Sequence, residues 1–277
     1  MAMSEYPELV VSSLGSGSNG NAFLVEFGDQ RLLIDAGVPI RTLLACLQRR
    51  SLSPADLTAV LISHEHTDHV RALAQLLGRT RLPVIASRGT HAGMLNVPHR
   101  DRHVLPALEQ TSIGDVNVTA IPVAHDAREP TGFFIETPTA SVTIMSDVGE
   151  ISDVNADFAA QADHLIVESN YDEGLLRSGP YPAYLKRRIR SADGHLSNDD
   201  CASFLRATIG DKTGEIWLCH ISENNNSPQL AVEATAQALK SGGIVRDVTA
   251  LPRYDGTVLT WRSTEKRTPI QQSSLPF

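Results

Sequence analysis

Three histidines and two carboxylates occupy six consecutive positions in the stretch "LISHEHTDHV", residues 61–70. The apolar run before this motif predicts a strand that ends near Ser63, followed by a helix from near His69. A strand-to-helix turn is a place where a rigid scaffold presents chemistry. His64 and His66 alternate on extended backbone and point to one side, whereas Asp68 and His69 turn toward a neighbouring point. Since imidazole and carboxylate groups bind zinc, manganese or iron, the spacing predicts two adjacent divalent ions, each bound by one of these pairs.

Further ligands are expected elsewhere, because one turn cannot supply all that a dinuclear site requires. Three candidates stand at the ends of apolar runs: His125 ends "VNVTAIPVAH", Asp147 ends "SVTIMSD" and His220 ends "EIWLCH". Asp147, as a carboxylate, is able to bridge both ions. Cys219 lies beside His220, but successive side chains on a strand point to opposite faces, so this thiol is excluded as a ligand.

A second group of candidates suits phosphate chemistry. His195 in "GHLSNDD" precedes a capped helix start, where free N–H groups and the helix dipole favour an anion, and it is the candidate proton donor for a leaving oxygen. The upstream segment "YLKRRIR" contains four basic residues, which either form a solvated helix face or bind a nucleic-acid backbone: Lys186, Arg187, Arg188 and Arg190. The loop "GSGSNGN", residues 15–21, either faces the substrate or turns a hairpin, and it lacks the nucleotide-binding P-loop signature.

The elements that must position these residues are short strands alternating with helices. Strand-like runs dominate the first half, and helices are predicted to start at Ser53, near Val70, at Ser197 and at Ser227. The chain of 277 residues shows no repeat and no proline-rich or glycine-rich linker. We therefore predict one mixed α/β domain over residues 1–277, with a polar tail from about Thr264.

Composition narrows the classes of function. No apolar run approaches the roughly 20 residues that cross a bilayer, and no secretory signal is evident, so a cytoplasmic protein without a membrane partner is expected. Three widely spaced cysteines fit a reducing compartment. The net charge of -8 argues against a surface coated for nucleic acid, but a local basic patch stays open.

The pattern H-x-H-x-D-H followed by a distant His, Asp and His resembles the metallo-β-lactamase superfamily over most of the chain. The segments "LGSGSNGNAFLVEFGDQRLLIDAG", "YLKRRIRSADGHLSNDDCASFL" and "WLCHISENNNSPQLA" are similar to its YycJ (WalJ) branch, whose members are regarded as metal-dependent nucleases acting on DNA and related to RNase Z. The resemblance implies a four-layer αβ/βα sandwich with the metals at the edge of its two sheets.

The resemblance also implies roles for individual residues. One ion would be held by His64, His66 and His125, the other by Asp68, His69 and His220, and Asp147 would bridge them. Asp35 matches a position that supports the site from behind the ligands. His195 corresponds to the histidine that contacts the scissile phosphate in RNase Z-like relatives, and Glu168 matches the acidic residue that orients it.

These residues favour a dinuclear Zn- or Mn-dependent phosphodiesterase, and the resemblance implies an exonuclease acting on DNA rather than RNA. Asp68, besides binding metal, is placed to orient a water molecule or accept its proton. A small-molecule hydrolase of the same fold, such as a lactonase, thioesterase or cyclic phosphodiesterase, is the alternative. A non-catalytic, metal-stabilised binding module is a third reading, but a structural zinc site is closed by four ligands, whereas this ligand set leaves room for water.

Overall fold

The computed structural model describes residues 6–253 and 257–263, which contain two seven-stranded sheets. The strands of the first sheet are β1 (Leu9–Gly15), β2 (Ala22–Phe27), β3 (Gln30–Ile34), β4 (Ala59–Leu61), β5 (Val84–Ala86), β6 (Arg102–Val104) and β14 (Leu259–Arg262). The strands of the second sheet are β7 (Gln110–Ile113), β8 (Val116–Pro122), β9 (Thr131–Glu136), β10 (Ser141–Met145), β11 (His164–Glu168), β12 (Glu215–Cys219) and β13 (Asp247–Ala250).

Each sheet has an antiparallel part and a parallel part. The first sheet has the order β14-β1-β2-β3-β4-β5-β6, and its strands from β3 to β6 are parallel. The second has the order β13-β12-β11-β10-β9-β8-β7, and its strands from β10 to β13 are parallel. Parallel strands need crossover connections, which place helices on the sheet faces and bring the carboxyl ends of the strands to one edge.

The helices form the two outer layers. They are α1 (Ile40–Arg49), α2 (Thr67–Val70), α3 (Leu73–Leu77), α4 (Arg88–Gly93), α5 (Asp153–Ala160), α6 (Glu173–Ser178), α7 (Ala183–Ile189), α8 (Asn198–Thr208) and α9 (Pro228–Ser241). Side chains of α1 and α3 pack on one face of the first sheet, and side chains of α5, α8 and α9 pack on one face of the second. None of the helices in the described part of the chain combines the length and apolar character that a membrane crossing requires.

Alternation along the strands divides the apolar side chains among three cores. Ile34 and Trp217 belong to the core between the sheets. Leu33 packs under the helices on the first sheet, and Leu165 packs under those on the second. Cys219 lies in the inter-sheet core, on the face that its strand position predicts. Three cores separate four layers, so the predicted αβ/βα sandwich is confirmed.

Two predicted helices are shorter than their patterns indicate. The segment after Ser53 forms only a 3₁₀ turn, Pro54–Asp56, because the chain enters β4 three residues later. The helix expected from Val70 to Leu77 is divided into α2 and α3. At the break, the N–H of Ala72 bonds to the carbonyl of Ala36 in a neighbouring loop at 2.8 Å.

The other two helices begin as predicted. Ser197 accepts the N–H of Asp200 at the start of α8, and Ser227 accepts the N–H of Leu230 at the start of α9. The predicted polar tail from Thr264 lies outside the described residues.

Candidate metal centre

The expected metal ligands gather at one edge of the sandwich, beyond the ends of strands from both sheets. The motif that begins at His64 follows β4, and His125 follows β8. Asp147 follows β10, and His220 directly follows β12. Residues that are far apart in the sequence therefore meet because their strands end at the same edge.

The imidazoles of His64, His66 and His125 form the first cluster, in which one ring nitrogen of each lies within 4.8 Å of the others. His125 donates its Nδ1–H to the carbonyl of Gly194 at 2.9 Å, which leaves Nε2 to face the cluster. Nε2 of His64 is buried and has no hydrogen-bond partner. A buried polar atom without a partner is costly, and a bound cation would satisfy it.

Asp147 connects this cluster to a second one, formed by Asp68, His69 and His220. Its Oδ2 lies 2.9 Å from Nε2 of His69, and its Oδ1 lies 2.9 Å from Nδ1 of His220 and 3.7 Å from Nε2 of His125. Oδ2 of Asp68 lies 3.8 Å from Nε2 of His69 and 3.7 Å from Nε2 of His220. Asp147 thus contacts histidines of both predicted ligand sets, which is the arrangement that a bridging carboxylate requires.

Asp35 lies behind His69, where it fixes the orientation of the imidazole. Its Oδ2 accepts the Nδ1–H of His69 at 2.7 Å, and its Oδ1 accepts the N–H of Ser63 at 2.8 Å. With Nδ1 occupied, Nε2 of His69 is directed to the centre of the site. Burial by itself would lower the pKa of His69, but the carboxylates of Asp35 and Asp147 outweigh it and raise that pKa well above its usual value.

The backbone turns sharply at three site residues. Asp35, Asp147 and His220 have φ values of 60°, 55° and 53°, in the left-handed region that non-glycine residues rarely adopt. Each of them follows a strand. Such strained positions cluster at functional sites, because the surrounding structure must hold them there.

The donor atoms fit divalent cations. Oδ2 of Asp147, Nε2 of His64 and both ring nitrogens of His220 are buried without a well-directed hydrogen bond. Burial opposes the charge on His220 and Asp147, yet their mutual attraction raises the pKa of His220 and lowers that of Asp147 well beyond their ordinary values. Divalent ions would take the place of the imidazole protons beside these carboxylates.

Glu168 lies close enough to His220 to count as a further ligand by distance alone. Its Oε1, however, accepts the Nδ1–H of His195 at 2.8 Å, and its Oε2 accepts the N–H groups of Val148 and Leu196 at 2.7 and 3.3 Å. Burial opposes ionisation of this carboxyl, but the charge and hydrogen bond of His195 lower the pKa of Glu168 to about 2. The carboxylate is committed to holding His195, so we do not count it among the metal ligands.

His195 lies over the two clusters, with ring centroids 5.2 Å from His125 and 5.1 Å from His220. Its side chain is 20% exposed, and since Glu168 occupies Nδ1, Nε2 remains for a partner outside the protein. Burial lowers the pKa of His195, but Glu168 outweighs this effect and raises it. The imidazole of His195 therefore binds a proton more readily than an ordinary histidine does, and it can donate that proton.

Two members of the basic run contact other parts of the chain. Nζ of Lys186 donates to the carbonyls of Arg177 and Gly179 at 2.8 and 2.7 Å. Arg190 forms a two-pronged pair with Glu173, with a shortest distance of 2.7 Å. Their charged groups are thus engaged within the chain, which reduces what this pair can offer to a nucleic acid.

The other two members of the run differ from each other. Arg187 is exposed to solvent. Arg188 pairs through Nε and Nη2 with Oδ2 of Asp126, both at 2.5 Å. Asp126, which follows His125 directly, is a site residue that the sequence analysis missed; its position next to a predicted ligand was the available signal.

The glycine loop between β1 and β2 both turns a hairpin and lines the metal centre. Nδ2 of Asn21 lies 3.0 Å from Nε2 of His69, while Oδ1 of Asn21 accepts the N–H of Gly17 at 2.8 Å. Oγ of Ser16 accepts the N–H of His220 at 2.8 Å. The loop thus turns the predicted hairpin, and the other reading, that it faces the substrate, stays a prediction.

Comparisons with known proteins agree with this architecture. Residues 30–221 match the beta-lactamase superfamily domain. Exodeoxyribonuclease WalJ of Streptococcus pneumoniae serotype 2 is 35% identical over 226 residues, which cover 79% of this chain and 84% of WalJ. Exodeoxyribonuclease YycJ of Bacillus anthracis is 34% identical over 236 residues, which cover 84% of this chain and 89% of YycJ. The solved structure of the metallo-beta-lactamase fold protein YhfI from Bacillus subtilis, at 17% identity, has a TM-score of 0.73 and covers 92% of this chain and 99% of YhfI.

The fold and the metal centre thus define a metallo-β-lactamase-type protein, and the chain belongs to the beta-lactamase superfamily. Within that superfamily it belongs to the branch that contains WalJ and YycJ.

Proposed function

We propose that this protein is a dinuclear metal-dependent phosphodiesterase that degrades DNA as an exonuclease. The observation that carries the proposal is the placement of His195, held by a buried carboxylate, over two adjoining clusters of metal-binding side chains. The names of the two relatives, both exodeoxyribonucleases, support DNA as the substrate.

The ligand assignment that we propose follows the two clusters. His64, His66 and His125 would hold one ion, Asp68, His69 and His220 would hold the other, and Asp147 would be available to both. When bound, divalent ions such as zinc or manganese supply Lewis acidity toward phosphoryl oxygens and a nucleophile at neutral pH. Asp35 and Gly194 orient His69 and His125 by accepting their Nδ1–H groups.

The remaining side chains move protons and hold the substrate. Asp68, whose carboxylate is partly exposed at 21%, orients the attacking water and accepts its proton. Glu168 keeps the proton of His195 on Nδ1 and stabilises the charged imidazole, and His195 protonates the leaving oxygen through Nε2.

A small-molecule hydrolase of the same fold is the second candidate. The engagement of Lys186 and Arg190 within the chain, together with the net charge of -8, favours it, because both features limit contact with a long phosphate backbone.

The decisive experiment offers purified protein, supplied with manganese or zinc, end-labelled single- and double-stranded DNA, covalently closed circular DNA, RNA and bis(p-nitrophenyl) phosphate. An exonuclease releases labelled mononucleotides from linear DNA and leaves the circle intact. Hydrolysis of the chromogenic phosphodiester without degradation of any nucleic acid would favour the small-molecule hydrolase. Inactivity on all the phosphodiesters, with two ions bound, would exclude both phosphodiesterase readings.

A further inference from the structure

The ion pair between Asp126 and Arg188 lies directly beside the first metal cluster. Oδ1 of Asp126 is 3.4 Å from Nε2 of His125 and 4.0 Å from Nε2 of His66, two of the proposed metal ligands. Oδ2 of the same carboxylate accepts both Nε and Nη2 of Arg188 at 2.5 Å. A single carboxylate group therefore separates the guanidinium from the metal ligands.

The backbone that carries Arg188 is hydrogen-bonded to the loop that carries His195. The N–H of His195 bonds to the carbonyl of Ile189 at 2.9 Å, and the carbonyl of Gly194 accepts His125. Gly194 packs so closely on the carbonyl of Arg188 that a Cβ at this position would overlap it. Residues 188–195 thus form one segment of backbone that carries Arg188 and His195 and accepts a hydrogen bond from His125.

Arg188 also has the exposure and the geometry to bind a phosphate. Its side chain is 56% exposed although its head group is paired. A guanidinium donates two parallel N–H groups, which match a pair of phosphate oxygens as well as they match a carboxylate. Asp126 accepts Nε–H and one N–H of Nη2, and so fixes the guanidinium before the substrate arrives. The two N–H groups of Nη1 and the second N–H of Nη2 remain for a phosphate.

We propose that Arg188 binds the scissile phosphate itself, and that Asp126 is a positioning residue that aims the guanidinium at it. This inference rests on the proposed function and deepens it, because it gives the site a preference for phosphodiesters over uncharged esters. It also separates Arg188 from Arg187, the adjacent basic residue, which can at most contact the backbone of a longer nucleic acid.

The test compares Arg188→Ala, Arg188→Lys and the matched control Arg187→Ala on bis(p-nitrophenyl) phosphate, a substrate too small to reach a distant patch. Loss of a charge-assisted, two-pronged hydrogen bond predicts a decrease of about 10- to 100-fold in kcat/KM for Arg188→Ala. Arg188→Lys keeps the positive charge but lacks the two parallel N–H donors, so it should recover only part of this loss. Arg187→Ala should behave as the wild type.

Two measurements do not depend on turnover. Elemental analysis should give the same metal content for all of these proteins. Calorimetric titration with thymidine monophosphate should show a weaker Kd, by a similar factor, for Arg188→Ala alone. Asp126→Asn should raise KM several-fold with little change in kcat, because the guanidinium of Arg188 remains present but is held less firmly in position.

Equal kcat/KM and equal nucleotide affinity in Arg188→Ala and Arg187→Ala would overturn the inference. If Arg188→Ala does not fold, as judged by its thermal transition, Arg188→Lys and Asp126→Asn decide the matter, and wild-type values in both would overturn it as well. The proposed function fails separately: a wild type that hydrolyses the small phosphodiester but no DNA would refute the DNA exonuclease while leaving Arg188 to be judged by its own variants. A wild type that neither hydrolyses the phosphodiester nor binds the nucleotide would overturn both.

Discussion

At the scale of single residues, the site assigns different work to side chains of the same type. Asp68 is partly exposed among the histidines, Asp35 is buried behind them, and Glu168 is buried behind His195. The environment of each carboxylate sets its role, because lone pairs that accept N–H groups are less available to an ion. Substitutions of these residues should therefore impair different functions, metal binding or proton transfer, which can be measured separately.

Asp68→Ala and His195→Ala should separate metal binding from proton transfer. Asp68→Ala removes the proposed ligand and proton acceptor, so elemental analysis should find the second ion depleted and turnover lost. His195→Ala should retain both ions and lose about 10²- to 10⁴-fold in kcat, the usual scale for a positioned acid or base. Unchanged kcat in His195→Ala would remove this residue from the proposed mechanism.

Asp35→Asn tests a residue that touches a ligand and no substrate. Asparagine tolerates the left-handed φ of 60° at this position, so the backbone should be preserved. Loss of the charge that orients His69 should weaken metal affinity by about 10- to 100-fold, as is usual for partners behind a ligand. Competition with a chromogenic chelator measures this, and Asp115→Asn, at an exposed position, is the matched control. Equal affinities in the two variants would contradict the assigned role.

At the scale of elements, the loops at the strand ends form backbone hydrogen bonds with one another. The N–H of Ala36 bonds to the carbonyl of His69, the N–H of Asn21 to the carbonyl of Asp68, and the N–H of Gly37 to the carbonyl of Asn21, at 2.7 to 2.9 Å. The loops after β1, β3 and β4 thus form one hydrogen-bonded unit. This unit holds the metal motif, which has little regular structure of its own.

Gly37→Ala should disrupt that unit. A Cβ at Gly37 would overlap the carbonyl of Asp68, so the motif must shift or the chain must strain. We expect a loss of about 1–3 kcal/mol or more in the free energy of unfolding, together with weaker metal binding. Urea denaturation of the metal-free proteins measures the first effect. Gly210→Ala is the control, because a Cβ there meets no atom within 4 Å, and equal stabilities of the two variants would refute the packing argument.

At the scale of the whole molecule, the two sheets meet through the metal centre as well as through the inter-sheet core. His64, His66, Asp68 and His69 belong to the first sheet's edge, whereas His125, Asp147 and His220 belong to the second sheet's edge. Ions bound between them would link the sheets and would stabilise the folded state, because the unfolded chain does not preserve the site.

Removal of metal should therefore lower the Tm of the intact protein. A free ion concentration 100 times the Kd contributes about 2.7 kcal/mol to stability at each site, and a chelator abolishes this contribution. Differential scanning calorimetry with and without chelator measures the shift, and adding back manganese or zinc should restore it. His220→Ala should show a smaller metal-dependent shift than the wild type. A Tm that does not respond to chelator in any of these proteins would mean that the clusters do not bind ions in the folded state.

The sequence by itself determined the family, the four-layer fold and which residues we propose as metal ligands. It could do so because the motif between His64 and His69 is local, and because His125, Asp147 and His220 each stand where an apolar strand pattern stops. Strands of a sheet that run in the same direction end at a common edge, so a residue at the end of such a strand is positioned by that strand.

Only the tertiary structure decided which atoms face one another and which charges remain available. Four basic residues in "YLKRRIR" read alike in the sequence, yet Lys186 contacts carbonyl groups, Arg190 contacts Glu173 and Arg188 contacts Asp126 beside the metal ligands. Likewise, nothing in the sequence around Asn21 places it against His69. A local pattern specifies the direction of a side chain from its own strand or helix, whereas its partner lies on another element whose approach depends on the packing of the whole sandwich.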